Sequence, residues 1–284
     1  MIVHLKEIVR KAEQGKFALG AFNTSNLEVT LGIIRGAAKL KAPVIIQISE
    51  ATIAYAGLKN IVNLINSIAA TDGKDIPIAI HLDHGKDWDT VKACVLAGLS
   101  SVHLDGSAFA FEKNIKLTKR AVDFAHRHGA WAQGELGSML GKEGLTGIKI
   151  PKNHDLFMTD PLKAQEFVRR TGVNTLAISV GTLHGLFVGK EKIDFERLSK
   201  IHSQVKIPLV LHGASGAKDK EVKKAIKLGV RIINIDTSIR IAFTNTLKQT
   251  IKTAHGFYDP RKILEPSMGA VQTEVENKIK VFRG

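Results

Sequence analysis

Ile78-Ala79-Ile80-His81-Leu82-Asp83-His84-Gly85-Lys86-Asp87 runs directly into Trp88-Asp89-Thr90-Val91-Lys92-Ala93-Cys94-Val95-Leu96. The first part is a short apolar run that ends on polar residues and a glycine, the pattern of a buried strand followed by a turn. The second part repeats its apolar residues three and four positions apart, the period of one helix face. One strand, one turn and one helix are therefore written in fewer than thirty residues.

Working outward, the same unit recurs along the chain. Eight short β-branched runs fall at residues 18–22, 44–49, 78–83, 101–105, 131–136, 175–180, 208–212 and 231–236. Helical patterns separate most of them, at 27–40, 88–97, 115–126, 161–170, 195–204 and 220–228. Strands that alternate with helices imply parallel pairing through βαβ crossovers. Their near-continuous apolar character is that of strands covered on both faces. An open doubly wound sheet would show the same alternation. The count of eight, and the polar residues at the ends of many strands rather than at one crossover, favour an α/β fold closed as a (β/α)8 TIM barrel. No linker rich in Pro, Gly or Ser interrupts the pattern, so residues 1–284 are read as one domain. One stretch breaks the spacing. Residues 137–160 carry Gly137, Gly141, Gly144 and Gly147 without clear periodicity, which predicts a mobile active-site loop or a disordered insertion.

The composition narrows the function classes. No apolar run approaches the length of a membrane helix, and the start, Met1-Ile2-Val3-His4-Leu5-Lys6, lacks the apolar segment of a signal peptide. A cytoplasmic location is the expectation. The one cysteine, Cys94, suits a reducing compartment and reads as a core thiol. A net charge of +14 raises nucleic-acid binding, but the lysines are dispersed. Their one cluster, residues 218–227, has no interleaved aromatics and fits a solvated helix face. Attraction of small anionic substrates is the better reading, with no nucleic-acid and no membrane partner.

Barrel chemistry sits at the C-terminal ends of the strands. There the chain places His81-Leu82-Asp83-His84-Gly85, His103-Leu104-Asp105, Gly134-Glu135, Gly181-Thr182-Leu183-His184-Gly185, Leu211-His212-Gly213 and Asn234-Ile235-Asp236-Thr237. A lone strand-end histidine is more often a hydrogen-bonded rim residue than a ligand. Three of them, His84, His184 and His212, lie beside glycines on strand ends that a barrel brings together. Three imidazoles with an open fourth position make a catalytic zinc site, and imidazole favours zinc over magnesium or calcium. Asp83, Asp105 and Glu135 approach the same mouth as acid, base or supporting groups. His81 and His103 each lie two residues before an aspartate, on the same side of the strand. Either could serve as a ligand or a proton relay; packed residues holding Asp83 and Asp105 by hydrogen bonds are the preferred reading. Gly213-Ala214-Ser215 and Asn234–Thr237 stand where barrels often bind phosphate through backbone N–H groups. They fit an ordinary capped turn equally well.

These residues, in this order, resemble the class II fructose-bisphosphate aldolase family, in particular its shorter branch, which includes tagatose-bisphosphate aldolases. The likeness runs from Gly20-Ala21-Phe22-Asn23 through Gln47-Ile48-Ser49-Glu50 and the strand ends above to Asp259-Pro260-Arg261-Lys262. It implies a lyase that splits a ketose 1,6-bisphosphate into dihydroxyacetone phosphate and glyceraldehyde 3-phosphate. It implies zinc on His84, His184 and His212, with Asp105 and Glu135 at an alternative or secondary metal position. Asp83 becomes the acid–base group on the hydroxyl at the bond being broken. Glu143 aligns with the carboxylate that exchanges the carbon-bound proton. The dihydroxyacetone phosphate half falls to Gly185, Gly213, Ala214, Ser215, Asn234, Ile235, Asp236 and Thr237, and the aldehyde half to Ser49 and Asn23. The family also implies a monovalent cation near the phosphate and a homo-oligomer, dimer or tetramer. The loop departs from the family pattern Gly-Gly-x-Glu-Asp, reading Leu140-Gly141-Lys142-Glu143-Gly144, so a solvated loop glutamate is the alternative there. A zinc hydrolase barrel would place a His-x-His pair on its first strand, where this chain has Gly20-Ala21-Phe22-Asn23.

Overall fold

The structure is a computed structural model. It describes the chain except residues 139–140, 150–153, 183, 189–191, 254–255 and 257, and gives the backbone alone over 141–149, 154, 156 and 184–188. The strands are β1 (Leu19–Asn23), β2 (Val44–Ser49), β3 (Ile78–Gly85), β4 (Ser101–Leu104), β5 (Trp131–Leu136), β6 (Gly141–Lys149), β7 (Thr175–Ile178), β8 (His184–Val188), β9 (Leu209–Leu211) and β10 (Val230–Ile235). The helices are α1 (Leu5–Gly15), α2 (Leu27–Lys39), α3 (Glu50–Ala56), α4 (Leu58–Thr71), α5 (Trp88–Leu96), α6 (Phe111–Arg127), α7 (Pro161–Thr171), α8 (Phe195–Gln204), α9 (Asp219–Lys227), α10 (Thr237–Thr253) and α11 (Pro260–Phe282).

Eight strands close a parallel barrel in the order β1-β10-β9-β7-β5-β4-β3-β2. The expected (β/α)8 architecture is what the chain adopts, with each predicted run lying on a barrel strand. Strand residues alternate between two apolar environments. One set, including Phe22, Ile46, Ile80 and Leu82, packs outward beneath the helices. The other set, Leu19, Ala21, Ile45, Ala79, Ala177, Val210 and Ile232, fills the lower lumen. There α1 closes the barrel from below. Its Leu5, Ile8, Val9 and Ala12 form one buried stripe against the lumen residues. Further up the same inward positions the side chains turn polar, and that change of character makes the floor of the site.

The excursion at 137–160 is not wholly irregular. Gly141–Lys149 forms β6, which pairs in parallel with β8 outside the barrel. The partner lies some forty residues away, so local periodicity carries no trace of the pairing. Cys94 is buried in α5, and burial pushes its thiol up to about 12.

The C-terminal helix α11 packs along α2, and two glycines set their separation. A Cβ on Gly32 would lie 2.7 Å from Val271 Cγ1 and 2.9 Å from the Met268 carbonyl. Gly36 is equally close to the Gln272 carbonyl, at 2.9 Å. Gly32→Val should therefore lower stability by about 1–3 kcal/mol through overpacking against a backbone that cannot rotate away. Thermal unfolding checks this, and an unchanged Tm would show that α11 can slide outward at no cost.

Candidate active site at the barrel mouth

The inward positions above the apolar lumen are Asn23, Gln47, His81, Asp83, His103, Gln133, Glu135, His212 and Asn234, all buried. Regular alternation would send His84 to the opposite face from Asp83. A bulge prevents this. The β3–β4 register shifts between Leu82 and Gly85, and His84 sits at φ 47°, the left-handed region that a branched or bulky residue rarely enters. The strained residue costs on the order of 1–3 kcal/mol, and such strain concentrates at functional sites. Its effect here is to aim Asp83 and His84, neighbours in sequence, into one mouth.

His84 lies at the centre. Its Nδ1 is 2.8 Å from Asp105 Oδ2 and 3.7 Å from Glu135 Oε2. Its Nε2 is 2.9 Å from His212 Nδ1 and 4.0 Å from Asp83 Oδ1. Asp105 is held in turn by the backbone N–H of Ser107, at 3.0 Å. On the other side, Asp83 accepts from the amides of Asn23 (2.9 Å), Asn234 (3.2 Å) and, more weakly, Gln47 (3.5 Å). His212 Nε2 faces the amide nitrogens of Gln133 at 3.3 Å and Asn234 at 3.2 Å.

The electrostatics follow from burial and like charge. Burial raises the Asp83 carboxyl above its ordinary value; His84 and the Asn23 hydrogen bond oppose the rise without cancelling it. Burial would depress His84, but Asp83, Asp105 and Glu135 outweigh it and hold its proton well above the usual histidine range. Glu135 is pushed up to about 8 by burial and by Asp105. Asp105 is desolvated too, yet the hydrogen bond from His84 and the nearby His103 keep it well below the carboxylate range.

His81 and His103 are packed, as expected, but neither holds its aspartate. His81 Nδ1 pairs with Ser101 Oγ at 2.9 Å, and His103 Nδ1 lies 3.4 Å from the Gln133 amide. Residues two apart on a strand share a side yet stand too far apart for rings to reach back, so each bonds across to the neighbouring strand instead. Burial and the surrounding imidazoles push both histidines down to about 3, so both are neutral.

Two groups among the described residues could hold a metal ion: His84, His103, Asp105 and Glu135, and Asp83, His84 and His212. The donor chemistry fits a cation. Glu135 Oε2 and His103 Nε2 are buried without hydrogen-bond partners among the described residues, and they face each other at 3.8 Å. A buried polar atom left unpaired costs about 1–3 kcal/mol, so atoms arranged this way suit an ion that would satisfy both. The sequence left His103 open as a ligand while favouring a packed role, and here it stands within the donor group. The side chains of His184 and Glu143 lie outside the described residues. Their backbones lie in β8 and β6, where Gly141 pairs with His184.

The remaining predicted residues stand around the same mouth. Ser49 is the Cα partner of Asp83 in the β2–β3 register, and its hydroxyl also caps α3 by accepting from the Thr52 N–H. Gly213, at φ 67°, turns the chain from β9 into a short 3-10 turn at Ala214–Gly216. Asn234 and Ile235 end β10, Asp236 follows, and Thr237 opens α10, so a seventeen-residue helix points its N-terminus at the mouth. Gly185 lies in β8. Gln47 and Gln133 were not singled out in the sequence. The available signal was a glutamine at an inward position of an otherwise apolar strand, which makes sense only where that strand lines a site.

A parallel barrel with a histidine and carboxylate cluster at its C-terminal mouth defines a metal-dependent barrel enzyme. The family described as fructose-bisphosphate aldolase, class II, matches residues 3–284, and the chain belongs to it. It is thereby a lyase of a metal-dependent family. A fructose-bisphosphate aldolase of Geobacillus stearothermophilus is 37% identical over 283 residues, covering 99% of this chain and 96% of the relative. Among solved structures, the YdjI aldolase of Escherichia coli K12 superposes with a TM-score of 0.85 at 32% identity, covering 99% of this chain and 97% of that one. The fructose-bisphosphate aldolase of Campylobacter jejuni, at 22% identity and a TM-score of 0.81 over 99% and 95% of the two chains, shares the fold. No helix among the described residues is long and apolar enough to cross a membrane.

Proposed function

We propose that the chain is a zinc-dependent aldolase that reversibly cleaves a ketose 1,6-bisphosphate, fructose 1,6-bisphosphate first and tagatose 1,6-bisphosphate as the alternative. The products are dihydroxyacetone phosphate and glyceraldehyde 3-phosphate. Asp83 carries the reading: a buried carboxylate of raised basicity, held by amides and directed at the same mouth as the imidazoles. A different zinc barrel activity, such as hydrolysis, is disfavoured by Gly20-Ala21-Phe22-Asn23 on β1, where a His-x-His pair would stand.

His84, His184 and His212 would hold the ion, with Asp105 and Glu135 at a secondary position. When bound, zinc supplies Lewis acidity toward the carbonyl and hydroxyl oxygens of the ketose, which lowers the cost of an ene-diolate. Asp83 accepts the proton of the hydroxyl on the carbon that becomes the aldehyde. As that carbonyl forms, the adjacent carbon–carbon bond breaks and its electron pair stays with the dihydroxyacetone phosphate half. Glu143 returns a proton to that carbon, and in condensation it removes the same proton. Asn23, Gln47 and Asn234 fix the Asp83 carboxylate, so the base does not reorganise during the step. Ser49 and Asn23 border the aldehyde half. Gly185, Gly213, Ala214, Ser215, Asn234, Ile235, Asp236 and Thr237 cradle the phosphate, aided by the α10 N-terminus and a monovalent cation. Phosphate contacts remote from the reacting carbons supply binding energy for orientation. The protein is placed in the cytoplasm, in carbohydrate metabolism, as one domain that assembles into a dimer or tetramer.

The test is cleavage of both bisphosphates by metal-stripped protein and by the same protein restored with zinc. Turnover should vanish on stripping and return with about one equivalent of zinc per chain. Equal turnover with and without metal would end the zinc reading. Inertness toward both sugars in the restored protein would end the substrate reading.

A further inference from the structure

Residues 137–160 and 181–194 leave the barrel as two excursions, beyond β5 and β7. They carry Glu143 on β6 and His184 on β8, and the two strands pair with each other. That ladder is irregular: its register shifts twice, and β6 holds Gly141, Gly144 and Gly147. Glycine-rich strands specify register weakly, so the relative placement of the two segments falls to their feet on the barrel.

The first foot is built on Thr159, which is fully buried. Its N–H donates to the Ser179 carbonyl at 2.8 Å, and its hydroxyl donates to the Leu136 carbonyl. The Ser179 N–H donates to that hydroxyl at 2.8 Å, so one threonine joins β5 to the end of β7. The outgoing chain is tied alongside by the Ser138 N–H, 2.8 Å from the Phe157 carbonyl. The second foot closes where the Asp194 N–H donates to the Val180 carbonyl at 2.8 Å. Arg197 of α8 reaches both feet. Its Nη1 donates to the Thr159 carbonyl and its Nε to Asp194 Oδ2, each at 3.2 Å. Its backbone N–H donates to Asp194 Oδ1 at 2.9 Å. A guanidinium holds planar donors in fixed directions, so one side chain can serve two acceptors that a lysine ammonium would match less well.

We propose that Arg197 is a positioning residue for both Glu143 and His184, because it locks the feet of the two excursions to each other. It acts through the Thr159 carbonyl and Asp194 and touches neither substrate nor metal. The inference rests on the reading of Glu143 as the carbon base and His184 as a zinc ligand.

The experiment compares Arg197→Met and Arg197→Lys with the parent in two arms. One arm is exchange of the carbon-bound proton of dihydroxyacetone phosphate with heavy water, followed by NMR on zinc-loaded protein. The other is zinc affinity by competition with a chelator. Arg197→Met should slow exchange on the order of tenfold, since a displacement short of 1 Å already degrades a reactive geometry. It should weaken zinc by roughly tenfold, the low end for groups that support a ligand from behind. In cleavage, kcat should fall more than KM changes, and Arg197→Lys should lie between Arg197→Met and the parent. Lys200→Met is the control, because it removes an ion pair from the same helix, with Glu196 at 2.7 Å, and meets neither foot. It should match the parent in both arms. Arg197→Met with a lowered Tm but parent-like exchange and zinc affinity would reduce the contact to an ordinary ion pair and overturn the inference. Loss in one arm alone would also overturn it, because the two feet would then not be held together. Glu143→Ala and His184→Ala check the underlying roles separately. If one of them keeps the parent value in its own arm, that role falls and the other arm decides for Arg197; if both do, the inference falls with them.

Discussion

Asp83→Ala is expected to keep its zinc and its fold while losing bisphosphate cleavage by roughly two to four orders of magnitude, the usual range for a positioned acid–base group. The retained metal follows from geometry. His84 and His212 approach each other at 2.9 Å without the help of Asp83, whose nearest oxygen is 4.0 Å from His84 Nε2. The fold follows from location. Asp83 stands at the upper, polar end of the lumen, away from the apolar layer where α1 closes the barrel. The substitution does leave the amides of Asn23 and Gln47 without an acceptor, a cost of about 1–3 kcal/mol for each donor that water fails to reach, while Asn234 keeps its contact with His212 at 3.2 Å. Thermal unfolding beside kcat separates the two effects. A folded, zinc-loaded variant that turns over near the parent rate would show that Asp83 merely supports the site.

What the sequence made legible is uneven, and the reasons are physical. The barrel was readable because each strand carries its own apolar run, and the crossover helices repeat their apolar residues at a different period. Those signals are local. Asp83, Asp105, Glu135 and His212 were readable as candidates because polar residues at the ends of buried strands need a reason to be there. The bulge at His84 was not readable, since a left-handed non-glycine residue leaves no mark in composition; Gly85 beside it was the sole hint. Nor was the pairing of β6 with β8, which satisfies backbone groups across a long separation. The plug α1 passed unnoticed, because an amphipathic helix ahead of the first strand looks like any other helix until the lumen it fills is seen.

The metal prediction has the largest effect, and the two overlapping donor groups make it sharper than a simple loss of activity. His84 belongs to both, so His84→Ala should lose bound zinc and cleavage wherever the ion sits. His212 belongs only to the group with Asp83, and Glu135 only to the group with His103 and Asp105. If the ion rests on imidazoles, His212→Ala should fall from about one zinc per chain to near none, since two imidazoles and water make a poor site. Glu135→Gln should then keep most of its zinc. If the carboxylates hold it, the pattern reverses: Glu135→Gln empties and His212→Ala stays loaded. His81→Ala serves as the control. His81 is as buried as its neighbours, yet it belongs to neither group and bonds to Ser101, so its metal content should match the parent. The measurement is zinc per chain by atomic emission after dialysis, with circular dichroism to show that each barrel remains folded. Full zinc in His84→Ala and His212→Ala alike would refute a histidine-held ion altogether. A loaded His212→Ala beside an empty Glu135→Gln would move the ion to the carboxylates, and Asp83 would then lose its place as the neighbour of a metal ligand pair.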